Sequence, residues 1–246
     1  MTQAPASLYA QRRARLAAQL GDGGVAIIPT APERARNRDS DFPYRHDSYF
    51  YYLTGFTEPN AWLVLDATGR STLFCQPKDL EREIWDGYRL GPDAAVAALG
   101  VSAAVSVAEL DKQLPKLLEN QHTVWYPFAT HKGLETRVDG WLNAVRARVR
   151  FGAQCPAQQR DACGPLDEMR LIKDAHEQDV MRRASTISSR GCSGSTLSCP
   201  CRCCASEVST AIISIADISP SSARRSDEPM SACHRSRSSP ASAIRC

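Results

Sequence analysis

No stretch of about eighteen apolar residues occurs anywhere in the chain, and its opening, MTQAPASLYAQRRARL, holds no apolar leader core. Those absences argue against a membrane span and an export signal, and the expectation is a soluble, cytoplasmic chain. Charge of one sign is also lacking. Thirty Lys and Arg against 27 Asp and Glu leave a formal +3, too little to point to nucleic acid or an anionic membrane surface. Neither G-x-G-x-x-G nor a P-loop is present, so nucleotide binding has no support; Gly21-Asp22-Gly23-Gly24 reads as a helix stop. A G-x-S-x-G elbow and a Cys/His signature are missing as well, which removes the nucleophilic triads. Before residue 190 the only cysteines are Cys75, Cys155 and Cys163, and without an export signal a disulfide framework is a poor reading of the seven that crowd into the tail.

The last 56 residues, 191–246, lack something different: they contain no aromatic residue and no lysine. In their place stand fifteen serines, six arginines and seven of the ten cysteines. Without a large apolar group, little offsets the entropy of ordering, and the segment is expected to be mostly disordered. Its run Cys199-Pro-Cys-Arg-Cys-Cys204 does not supply the two C-x2-4-C pairs of a structural zinc site. Its acidic and histidine residues (Glu207, Asp217, Asp227, Glu228, His234) have no evident scaffold to hold a metal in place.

What is present is an alternation of helical and strand patterns. Ser7 can cap a helix over 8–20, and Val25–Thr30 reads as a buried strand. Residues 31–46 read as loop, and Asp47 caps a short helix that stops at Gly55. Ala61–Ala67 and Ser71–Gln76 flank Thr68-Gly69-Arg70 as a hairpin. Helices follow over 79–87 and 92–100, then a weak strand over 101–107 and an amphipathic helix over 108–120 flawed by Pro115. A strand over 122–128 and a long helix over 131–150 close the series. The loop holding Cys155 and Cys163 comes next, and then a connector over 165–173. Asp174, with Glu177 three residues on, has the pattern of a capping box opening another helix. Strands interleaved with helices predict an α/β layer domain.

Seven of the seventeen aromatics crowd between Phe42 and Phe56, a density that predicts a core cluster. The same stretch carries R-N-R-D followed by F-P-Y-R-H-D-S-Y-F-Y-Y-L-T-G-F-T-E-P. Two further blocks lie at Thr72–Gly91 (TLFCQPKDLEREIWDGYRLG) and Pro165–Lys173 (PLDEMRLIK). In that order the three resemble the N-terminal domain of aminopeptidase P, the Xaa-Pro aminopeptidases of the creatinase/prolidase superfamily, over residues 5–189. A prolidase or a creatinase-like hydrolase is the related alternative. Asn60 departs from the acidic residue expected after Glu58-Pro59.

The resemblance implies a mixed sheet with helices on both faces over 5–164, a connector and the start of a hinge helix over 165–190, and an unrelated tail over 191–246. An abrupt change of composition inside a family helix also suggests a change of reading frame. In the intact family two manganese ions, held by Asp, His and Glu of a C-terminal "pita-bread" domain, release the residue preceding proline from a peptide substrate. The expectation for this chain is a truncated, non-catalytic half, with no catalytic or metal-binding residue of its own and no cofactor. Partners would be further copies of itself or an intact relative. Trp85 and Arg89, in Glu83-Ile-Trp-Asp-Gly-Tyr-Arg-Leu-Gly91, are the two candidates for a subunit interface or a place beside the substrate; helix-end packing is the plainer reading of the tryptophan. His46, His122, His131 and His176 are scattered, and His46 is expected to be a hydrogen-bonded loop residue.

Overall fold

The structure, a computed structural model, describes residues 6–194, and of 85, 86 and 191–194 the backbone alone. The tail expected to be disordered therefore lies, from residue 195 on, outside the described residues.

Six strands form one sheet in the order β4-β3-β2-β1-β5-β6. They are β1 (Gly24–Pro29), β2 (Trp62–Asp66), β3 (Ser71–Cys75), β4 (Ala103–Ser106), β5 (Thr123–Tyr126) and β6 (Gln158–Asp161). β2 pairs antiparallel with β1 and β3, while the β3–β4, β1–β5 and β5–β6 pairs are parallel. All strands but β2 thus point the same way, and the sheet is mixed, as the sequence predicts.

Alternation along the strands divides the core in two. Ala26, Ile28, Leu63, Leu65, Leu73 and Trp125 pack on one face beneath α1 (Ala6–Ala17), α2 (Ser48–Thr54), α4 (Gly91–Leu99) and α7 (Cys163–Leu171). Val25, Ile27, Val64, Phe74 and Val124 pack on the other, beneath α5 (Leu110–Leu118) and α6 (Leu134–Arg146). Burial of both faces is the expected condition for strands in parallel pairing, and it explains why the central ones read as continuous apolar runs.

Local signals set the element ends. Asp47 accepts hydrogen bonds from the Tyr49 and Phe50 amides, each at 2.9 Å, and so caps α2. Gly55 ends that helix in the left-handed region at φ 68°, where a side chain would also run into the Tyr9 ring. Asp79 caps α3 (Leu80–Asp86) in the same way as Asp47 caps α2. The capping box of α8 (Ala175–Gly194) is reciprocal: the Asp174 amide donates to Glu177 Oε2 and the Glu177 amide to Asp174 Oδ1, both at 2.9 Å.

Two elements were not legible in the sequence. β6 has only exposed residues, Gln158, Gln159, Arg160 and Asp161, and so shows no apolar period; the free backbone edge of β5 makes it a strand. The segment read as a connector at 165–173 is mostly α7, which buries Leu166 and Met169 in the core beneath α1 and α2.

Candidate functional site

The carboxyl ends of β1 and β5 lie side by side, yet the chain leaves β1 toward β2 and reaches β5 only after β4. The loops after the two strands therefore diverge, and a cleft of about 1010 Å³ opens between them. Crevices of this kind, outside the carboxyl ends of strands at a switch in strand order, are where open α/β sheets take ligands.

A relay of hydroxyls fixes the loop after β1 over the cleft. The Asp47 amide donates to Thr30 Oγ1 at 3.3 Å, Thr30 and Tyr44 share a hydroxyl contact of 2.9 Å, and Tyr44 donates to the Ala31 carbonyl at 3.1 Å. Burial raises the Tyr44 hydroxyl above its ordinary pKa, partly countered by Thr30. Asp47, whose Oδ1 caps α2, turns Oδ2 to His131 Nε2 at 3.5 Å and so links the loops after β1 and β5. His46 stacks on Tyr51 with centroids 4.2 Å apart. On the far wall Arg137 lies over Trp62 and Trp141, at 4.7 and 5.1 Å from their ring centres, and bonds to Asp111 at 2.9 Å. The bond from Arg137 outweighs partial burial and holds the Asp111 carboxyl below the usual range, helped by the Trp141 indole N–H.

His46 and His131, far apart in sequence, thus meet at one cleft, while His122 sits at the start of β5 and His176 in the first turn of α8. Asp47 is the one carboxylate among the lining residues, and Arg34, Arg45, Lys132 and Arg137 make the lining basic. Such a surface can bind and orient a ligand. Among the described residues no group of three or more His, Cys, Asp or Glu is placed to hold a metal ion. Burial pushes the Cys75 and Cys163 thiols up to about 12, leaving neither a ready nucleophile.

The two sequence candidates lie elsewhere. Arg89 is not among the cleft-lining residues; it is half-buried just beyond α3, its amide bonded to Glu83 Oε1 at 3.2 Å. Trp85 is in the last turn of α3, its side chain outside what is described. Leu80 and Ile84 on α3, and Tyr88 just beyond its end, are exposed apolar groups around it. The cleft itself escaped the sequence reading because its walls come from five separate stretches of chain; the one local hint was the basic, proline-rich loop over 31–46.

A family model described as "Aminopeptidase P, N-terminal domain" matches residues 9–125. The chain carries an aminopeptidase P N-terminal domain. The Xaa-Pro aminopeptidase of Escherichia coli K12 is 39% identical over 183 residues, which cover 73% of this chain and 42% of that protein. Human Xaa-Pro aminopeptidase 3 is 28% identical over 197 residues, covering 74% and 38%. Among solved structures, Pseudomonas aeruginosa aminopeptidase PepP superposes with a TM-score of 0.74 at 41% identity, covering 77% of this chain and 44% of that one. An Escherichia coli aminopeptidase P variant in complex with substrate gives 0.72 at 37%. The aminopeptidase P domain thus accounts for the fold, and the chain spans less than half the length of the relatives it matches.

Proposed function

We propose that this chain is the non-catalytic N-terminal half of a manganese-dependent Xaa-Pro aminopeptidase, a cytoplasmic protein that does not turn over peptides by itself. The observation carrying this reading is the match in identity and fold to only 42–44% of the bacterial relatives. Two-metal hydrolysis needs a rigid set of oxygen and imidazole ligands around both ions. On this reading the metal chemistry belongs to the rest of the family's length. Purified chain assayed on an Xaa-Pro peptide with added manganese should show no turnover above blank; release of the N-terminal residue would overturn the reading.

A binding or assembly role is the second reading, favoured by the exposed Leu80 and Ile84 of α3 and Tyr88 just beyond it. Trp85 and Arg89 would then belong to a contact with another copy or an intact relative. Mass measurement by light scattering, alone and mixed with a full-length relative, tests it. Unchanged monomer mass in both samples removes the contact.

A further inference from the structure

We propose that the cleft at the carboxyl ends of β1 and β5 binds the carboxylate end of a short apolar peptide, its charge taken by Arg34 and Lys132. Both side chains line the cleft and are exposed, and among the described residues neither has a carboxylate within ion-pair distance. Of the other charges there, Arg137 is committed to Asp111 and two indoles, and Asp47 to the α2 cap and His131. The start of α6, where Gly133 offers no side-chain cap, adds partial positive charge at the same mouth.

The walls decide which anion. Phe42, Pro43 and Trp62 give the cleft apolar and ring surfaces beside its basic rim. A phosphate group would use the two cations and leave these walls wet. A monoanion with an apolar body uses both, and about 1010 Å³ suits a few residues rather than a folded partner. Phe42 is 53% exposed, and a ligand body laid against it would remove that apolar area from water.

The proposal concerns binding by this chain and does not rest on the peptidase reading. Calorimetry should compare alanyl-valyl-leucine with its C-terminal amide. The free acid should bind at least about tenfold more tightly, weakening as salt rises. Arg34→Gln and Lys132→Gln, both at exposed positions, should each weaken the acid about three- to tenfold and leave the amide unchanged. Equal binding of acid and amide would overturn the proposal, as would no binding of either at millimolar concentration. Displacement by equimolar inorganic phosphate would overturn it in favour of a general anion site.

Discussion

Glu58 shows how far a single residue can stand from what its type suggests. In the sequence it is part of the Glu58-Pro59 pair of the family block. In the fold its Oε1 accepts from the Leu90 amide at 2.7 Å, and its Oε2 is buried with no hydrogen-bond partner among the described residues. Burial raises the carboxyl above its ordinary value despite that bond and the nearby Arg89. The sign follows: the folded state prefers the neutral acid, so this group favours folding at low pH and costs stability as pH rises from about 4.3 through the raised value. Glu58→Gln keeps an oxygen for Leu90 and removes the charge. Thermal unfolding should show the variant gaining on the parent at pH 7 relative to pH 3; an unchanged difference between the two pH values would mean that the carboxyl is not perturbed.

Elements were legible where a side chain near in sequence decides their ends, and illegible where a partner far away does. Asp47 and Gly55 bracket α2, and Asp174 with Glu177 opens α8; those residues announce themselves because the bonds they make are local. β6 has no such signal. Its strand character comes from hydrogen bonding to β5, and its charged and amide side chains suit an outer strand. α7 was hidden by Gly164 and Pro165, which read as a break but sit in its first turn, where proline costs a helix nothing. The cleft was hidden for the same reason as β6, since no one segment contains it. At Asp47 the local and distant roles can be separated. Asp47→Ala should cost about 1 kcal/mol or more through loss of the α2 cap. Asp47→Asn retains an acceptor for the Tyr49 and Phe50 amides but gives up the charge facing His131, and should cost less. Chemical denaturation of both variants checks this, and an equal loss in the two would assign the effect to the His131 contact.

For the whole molecule the question is where the domain ends, and Arg12 bears on it. Its guanidinium, buried in α1, meets Asp174 at 2.6 Å and Glu177 at 3.5 Å, donates to the Tyr52 carbonyl at 3.2 Å, and lies over the Tyr52 ring. Tyr52 in turn donates to the Met169 carbonyl, and Tyr49 to Asp167. α7 and the first turn of α8 are therefore bound to α1 and α2, and these bonds support a proposed domain boundary on the far side of that turn. A chain ending at Ala162 loses Leu166 and Met169 from the core, about 2 to 3 kcal/mol of burial each, against a total stability of about 5 to 15 kcal/mol. A chain ending at Ile172 keeps them and loses the Arg12 pairs together with the buried Ala184 of α8. Circular dichroism should show cooperative melting for the chain ending at Ile172, and a much lower midpoint or none for the one ending at Ala162. In the full chain the clamp has its own pH signature. Burial opposes ionisation of Asp174, but the Glu177 amide and Arg12 prevail and hold its carboxyl below the usual range. Its contribution is thus complete above about pH 4 and fades as pH falls through the depressed value. Hydrogen exchange in residues 175–182 should quicken on acidification ahead of the sheet, and Arg12→Met should abolish that difference. If α8 and the sheet lose protection together in both proteins, the helix is held by something other than this arginine.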